Sequence, residues 1–454
     1  MIRPYIKCLR TWLGVGCLCA ASLTIAEPLS LNRAIDQARL HDPWLQGSRH
    51  AQQALDELSV ASASLPDPKV NVAFANLPTN TWDFDQEPMT QFKVGVTQMF
   101  PRGDQRQLKQ KQLRLSSARL PFERQDREAR IERQVTLLWM EAWRTQESIA
   151  LINRNRFLFE QMLEITQSSY SSAVGRTRQQ DVIRAQVELT RIEDRLTQLQ
   201  QQRDSSVAKL AQWVSDINAT DSLQINAVQP ELALPQELPQ IALQVPASVL
   251  RQSTGDWQQL APIFLQHPSM RILEQDIQVS AAKLDLAKQQ YKPEWGLNAS
   301  YGYREDDPMG NERADFFSVG LSFDMPLFAG NRQDREVSAA ISGVEQVKTR
   351  KWLRLKTMLS EFDAALAQWQ RLNQRHELYE QRLLPQMHEQ AEASLTAYTN
   401  DNGDFSEVMR ARIAELNANI DALTIAAQRQ QVVAQLNYYF APGGEVPAGE
   451  SHHE

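Results

Sequence analysis

Four stretches of the chain alternate between apolar residues and small or polar ones with a period of two. Val70, Val72 and Phe74 alternate with Lys69, Asn71, Ala73 and Ala75, and Phe92, Val94 and Val96 with Gln91, Lys93, Gly95 and Thr97. In the second half, Trp295, Leu297, Ala299, Tyr301 and Tyr303 oppose Gly296, Asn298, Ser300 and Gly302, and Phe317, Val319, Leu321 and Phe323 oppose Phe316, Ser318, Gly320 and Ser322. This period puts each set on one face of a β-strand. Each stretch is about 8–11 residues, the length of a tilted strand that crosses a bilayer. An apolar, aromatic face suits lipid, and a small, hydroxylated face suits a watery lumen. A half-buried sheet packed under helices is the other reading of the same pattern. Four strands do not close around a pore, and lipid does not tolerate open sheet edges, so a membrane reading demands several copies. Three copies would supply twelve strands.

Helical patterning fills the rest. Ser30 to Ser62 and Gly255 to Gln290 read as helical segments that precede the strands. A run rich in Gln, Arg, Leu, Glu and Ala extends from Gly103 to about Ser172 with Pro121 inside it, and a partner run spans Gly330 to about Tyr398 with Pro385 inside it. About 70 helical residues span about 105 Å. Apolar stripes such as Leu137/Met140/Trp143 and Leu189/Ile192/Leu196/Leu199 predict coiled packing. The two prolines are expected to interrupt or kink their helices. Gly175 and Gly403 mark helix–helix turns, where a left-handed cap favours glycine.

The two halves run in the same order. Pro43, Pro68, Phe92 and Pro101 recur as Pro268, Pro293, Phe317 and Pro326, each 225 residues later. Tyr170 to Gly175 parallels Tyr398 to Gly403, and Asp181-Val182-Ile183 parallels Glu407-Val408-Met409. A constant offset across several anchors predicts a tandem duplication. The expected division is a signal peptide over 1–26, a first repeat over 27–228 and a Pro-rich linker or set of small equatorial elements over 229–254. A second repeat over 255–440 and a disordered tail over 441–454 complete it.

Composition shifts the setting. Arg3, Lys7 and Arg10, then the apolar run Trp12 to Leu23, then Thr24-Ile25-Ala26 read as an export signal. All three cysteines lie in it, so the mature chain would hold no thiol; acylation at Cys17 or Cys19 is the alternative use of this segment. The net charge is −7, and −10 once the three basic residues of 1–26 are gone. That acidity argues against a nucleic-acid partner and would attract cations.

The order helix–strand–strand–long helix–Gly turn–helix, used twice, resembles the TolC-type outer-membrane factor (outer membrane efflux protein) family. The carrying motifs are Tyr170-x4-Gly175-x5-Asp181-Val182-Ile183-x-Ala185-Gln186, with Leu383-Leu384-Pro385-Gln386, Tyr398-x4-Gly403 and Glu407-Val408-Met409-x-Ala411 in the second half. Asn76-Leu77-Pro78, Asp83 to Pro88 and Met99-Phe100-Pro101-Arg102-Gly103 resemble its heavy-metal cation efflux branch. The resemblance implies a mainly α protomer with a small β part and a homotrimer. A 12-stranded β-barrel in the outer membrane of a Gram-negative-type envelope would continue into a periplasmic α-barrel. It also implies a passive exit duct that works with a periplasmic adaptor and an inner-membrane pump. The tip or gate would comprise Gly175, Arg176, Arg178, Asp181, Asp401, Gly403, Asp404 and Glu407, with helix capping as the other role for the acids, Asp404 above all. The lipid-facing set would be Val70, Val72, Phe74, Phe92, Val94, Val96, Trp295, Leu297, Tyr301, Phe317, Val319 and Leu321. Trp82, Phe84, Trp295, Tyr301, Tyr303 and Phe316 would suit an interfacial belt.

Catalytic signatures are missing from the sequence: there is no His-Glu-x-x-His, no Gly-x-Ser-x-Gly and no phosphate loop. No cofactor or resident metal is expected, and His41 and His267, each close to a proline, are assigned to helix starts. Two rival classes remain: a coiled-coil periplasmic adaptor or structural protein without a pore, and a general diffusion porin, which would need many more strands per chain and no helices of about 100 Å.

Overall fold

A computed structural model describes residues 28–171, 178–218, 224–226, 233–250, 257–400 and 403–442; the expected signal peptide and most of the expected tail lie outside them. Helices α1 (Leu31–Leu40) and α2 (Pro43–Ala63) lead into strands β1 (Lys69–Ala75) and β2 (Gln91–Phe100), followed by α3 (Gln105–Ser171) and α4 (Gln179–Val214). A short hairpin, β3 (Asp216–Asn218) and β4 (Gln224–Asn226), and two short helices, α5 (Ala247–Leu250) and α6 (Trp257–Phe264), come next. The second half then runs α7 (Pro268–Lys288), β5 (Trp295–Tyr303), β6 (Phe316–Phe323), α8 (Gln333–Leu378), α9 (Leu384–Thr399) and α10 (Phe405–Tyr438). The order α2-β1-β2-α3-α4 is thus followed by α7-β5-β6-α8-α9-α10.

The strands form one antiparallel sheet in the order β1-β2-β5-β6. The helices that continue from them pack in the same order, α2 on α3, α3 on α7 and α7 on α8. One lateral sequence therefore runs through both layers, strands above and helices below. Further from the sheet, α4 lies on α3 and α10 on both α3 and α8.

The two long runs differ. Helix α3 continues for 67 residues, about 100 Å, straight through Pro121. The expected interruption is absent because proline removes a single backbone donor, while its neighbours Leu120 and Phe122 are buried at 6% and 4% exposure and hold the turn from both sides. In the second run a π-helical turn over Tyr379–Leu383 separates α8 from α9, and Pro385 follows in the first turn of α9. There a wider turn absorbs the missing donor.

The segments expected as single helices, Ser30 to Ser62 and Gly255 to Gln290, each divide before a proline. Asp42 caps α2 by accepting from the Trp44 amide at 3.2 Å, and His267 caps α7 by accepting from the Ser269 amide through Nδ1, also at 3.2 Å. The helix-start role expected of His41 falls to Asp42: His41 closes the end of α1, and its ring meets the Val214 carbonyl at 3.3 Å.

Burial concentrates midway along the helices. Trp139 is fully buried and donates to the Leu29 carbonyl at 2.9 Å, and Trp143 donates to the Gln236 carbonyl at 3.2 Å. Residues 233–250 are not a free linker. Leu234, Val245 and Val249 are buried, and Asn437 accepts from the Gln244 amide at 2.8 Å while donating to the Ala242 carbonyl at 2.8 Å. A second cluster gathers Phe264, Met270, Met358, Phe362 and Leu436, and a third, nearer the far turns, gathers Ile152, Ala185, Phe405 and Met409.

His267 fastens two of these elements. Its Nδ1 is an acceptor, so Nε2 carries the proton and donates to the Tyr438 carbonyl at 2.9 Å. Burial pushes its pKa below the ordinary value of 6.5; the Tyr438 bond and Asp126 oppose that shift, and Arg354 and Arg130 add to it. The unfolded chain therefore binds this proton more readily than the folded one. Stability should be intact above pH 6.5 and fall as the pH drops from there towards the folded pKa. Denaturant midpoints at pH 7.5 and 5.5 should separate less in His267→Asn, which keeps a capping side chain without the titration.

Candidate functional site

The twelve apolar strand residues expected to share a face do share one. Pairing runs Val70 to Val96, Val72 to Val94 and Phe74 to Phe92 across β1 and β2. It continues Val94 to Tyr301, Gln98 to Leu297 and Phe100 to Trp295 across β2 and β5. Leu297 to Leu321, Ala299 to Val319 and Tyr301 to Phe317 complete the sheet. Cross-strand partners point to the same side, so one largely apolar surface results, with Gln98 in it bonded to the Pro66 and Met99 carbonyls. Val70 is 66% exposed, Phe74 64% and Phe317 72%, values that a sheet buried under helices does not give. The strands pack against one another and the helices leave from their ends.

The opposite face carries Asn71, Gly95, Ser300 and Ser318 in one row and Thr97, Asn298 and Gly320 in another. Phe316 belongs to this face, since it pairs with Gly302, and the Arg304 guanidinium lies 4.1 Å from its ring centroid. It therefore stands apart from the expected aromatic belt. Tyr301 and Tyr303 lie at one end of the apolar face, Phe84 packs between Phe74 and Tyr303, and Trp82 is 67% exposed in the adjoining loop. Trp295 sits at the other end, 4.9 Å from Phe323.

Two strand-to-helix junctions lock the halves together at that end. Arg102 donates to the Lys292 carbonyl at 2.9 Å and pairs with Asp324, whose other oxygen accepts from the Glu294 amide at 2.7 Å. Lys292 returns the contact to Asp104 at 2.9 Å. Gly103, at φ +46, stands where any Cβ would meet Lys292 Cδ at 2.2 Å. The sequence marks Arg102-Gly103-Asp104 as a junction, but its partners lie about 190 and 220 residues away, a separation that no local pattern reveals. At the opposite end the Arg304 and Arg313 side chains donate to the Pro88 and Asp85 carbonyls, joining the two strand loops.

At the far helical turns, Gly175, Arg176 and Asp401 lie outside the described residues. Arg178 precedes α4, and its amide donates to Asp181 at 2.9 Å; Asp181 is only 6% exposed. Asp404 caps α10, accepting from the Ser406 amide and hydroxyl at 3.2 and 3.1 Å. Both carboxylates thus act as caps, the second of the two roles open to them, and Glu407 is exposed in the first turn of α10. Gly403 is not the cap of the preceding helix, which ends at Asn400 with φ −92. Its requirement is steric: a Cβ there would lie 2.7 Å from the Tyr398 nitrogen and 2.9 Å from the Ala397 carbonyl carbon. Behind this turn Arg412 bridges Glu392 at 2.6 Å and Glu415 at 2.9 Å, and His388 meets Glu415 at 2.7 Å. That network ties α9 to α10 and has no motif in the sequence.

Residues 263–440 match the family model of the outer membrane efflux protein. The chain resembles the TolC-type outer-membrane factors. Its fold agrees, at a TM-score of 0.71 and 15% identity, with the outer-membrane channel OprN, over 91% of this chain and 90% of that one. The transmembrane channel CusC gives 0.70 at 15% identity, over 91% and 92%, and the Campylobacter jejuni outer-membrane channel CmeC 0.71 at 12%, over 98% and 96%. At these identities the likeness is one of fold. No curated protein is detectably similar in sequence.

Because the atoms facing Gly403 are backbone, they cannot rotate away. Gly403→Ala should cost about 1–3 kcal/mol locally, seen as faster protease cleavage between α9 and α10 with the rest of the chain still resistant.

Proposed function

We propose that this chain is the outer-membrane exit duct of a tripartite efflux system. It would pass substrates passively from an inner-membrane pump and a periplasmic adaptor to the exterior. The observation that carries the reading is the exposed apolar face of a four-stranded sheet whose outer edges, on β1 and β6, have no partner strand among the described residues. A bilayer would cover that face, and other copies would satisfy the edges. Four alternating strands leave β6 antiparallel to β1, so identical copies close without a parallel mismatch. In this reading three protomers make a 12-stranded barrel, and their helices, already in strand order, make the periplasmic α-barrel. The two halves are the tandem repeats 27–228 and 255–440, delivered by a cleaved signal. The turns at Gly175 and Gly403, with Arg176, Arg178, Asp181, Asp401, Asp404 and Glu407, form the tip that meets the adaptor. A non-enzymatic role accords with the channel fold.

The heavy-metal cation cargo rests on the loop resemblance and on the net charge alone. Charges within the strands point elsewhere, as developed below.

The purified chain should run in detergent as a trimer and conduct ions in planar bilayers; a monomer soluble without detergent would favour the adaptor reading. Val72→Arg puts a charge in the middle of the apolar face, at about 2–4 kcal/mol per copy near a bilayer midplane. Membrane-inserted trimer should fall sharply in heat-modifiability gels, whereas Asn71→Arg on the other face should leave it in place.

A further inference from the structure

The charged side chains of β1, β2, β5 and β6 are two lysines, Lys69 and Lys93. Both stand on the small, polar face: Lys69 pairs with Thr97, and Lys93 lies between Ala73 and Gly302. The pairing puts the two levels four residues apart along β1, about 13 Å. Lys93 shares its row with Ala73, Gly302 and Phe316, Gly95 is next along its own strand, and no carboxylate stands in that row. Both lysines are exposed, and neither forms an ion pair with a described residue. None of these four strands holds a carboxylate.

Asp67 precedes Lys69 by two residues at the helix end of the sheet, while several acids of the loop between β5 and β6 are held by other groups. Asp315 is held by the Tyr301 hydroxyl and by the Arg304 amide at 2.9 Å, and Glu305 accepts from the Tyr303 hydroxyl at 3.2 Å, so both are drawn towards tyrosines of the apolar face. Asp307 is closed into its own turn by the amides of Met309 and Asn311. Asp83, Asp85, Glu87, Asp306 and Glu312 lie in the loops beyond the strand ends, with Arg304 and Arg313 among them.

On the exit-duct reading, on which this inference rests, the polar face lines the lumen. We propose that Lys69 and Lys93 make the membrane barrel an anion-favouring filter, selecting small organic and inorganic anions over cations. A closed barrel of twelve strands tilted by about 40° has a backbone radius of about 12 Å. Lysine stems shorten that distance from inside, and the Debye length is about 10 Å at 0.1 M salt. Three copies place six ammonium groups on two levels with no strand carboxylate to offset them, and the low-dielectric wall focuses their field along the axis. The negative net charge of the whole chain does not decide selectivity here, because its acids are carried outside the strands.

The test is the reversal potential of bilayer-reconstituted trimers in a KCl gradient, with pyrophosphate on the loop side as a blocker. The wild type should favour chloride and be blocked. Lys93→Gln should lower the chloride-to-potassium permeability ratio about two- to threefold, weaken the pyrophosphate block, and be exceeded by Lys69→Gln/Lys93→Gln. Lys93→Arg should retain both properties. Conducting trimers whose reversal potential and block are the same in the wild type and the double variant overturn the lysine assignment and leave the duct reading standing. Failure of the wild type to form conducting trimers overturns the duct reading and this inference with it.

Discussion

The outer backbone edges of β1 and β6 carry amide and carbonyl groups for which the described chain supplies no partners, beside a face of exposed valine, leucine and aromatic side chains. In water such an edge would be hydrated, but the apolar face would then be the cost; in lipid the face is satisfied and the bare edge becomes untenable. Pairing of the edges with other copies, as proposed above, would meet both conditions together. The helical layer follows from that arrangement. Each strand is joined to a helix at one end, and α2, α3, α7 and α8 keep the lateral order of β1, β2, β5 and β6. Pairing among strands thereby dictates neighbours among helices far below the sheet.

Charge is distributed unevenly over this frame. The four long strands carry cations alone, the loops between them carry acids of which Asp315, Glu305 and Asp307 are held by tyrosines and backbone amides, and the helices carry ion pairs of both signs. A net charge averaged over the chain describes none of these zones. The junction ion pairs of Arg102 with Asp324 and Lys292 with Asp104 lie where strand meets helix and hold the two halves in register at the point where the sheet ends.

The strand positions were legible from sequence because period two is a local signal: the twelve apolar residues fall on one face in the structure as the alternation predicts. Helix length was legible for the same reason, since a long run of helix formers needs no distant information. What escaped was non-local or steric. Pro121 breaks nothing because Leu120 and Phe122 are buried against other elements, a fact about neighbours rather than about proline. Gly403 is required by the approach of the Ala397–Tyr398 backbone and not by a left-handed cap. The acids at the far turns were legible as a cluster, but burial of Asp181 and the contacts of Asp404 show them occupied with their own helix starts. His41 was given the role of Asp42 because histidine was matched to histidine, whereas the position just before the proline, Asp42 in one half and His267 in the other, is the one that caps.

The final turn of α10 bears on how the chain is made. Asn437 holds the segment around residue 243, Tyr438 donates to Asp126 and receives His267, and Tyr439 donates to Glu361. Four distant stretches are thus fastened by three consecutive residues near the end of the sequence. These three residues follow all four stretches in the chain, so in synthesis from the N-terminus this set of contacts closes only after α10 has been made.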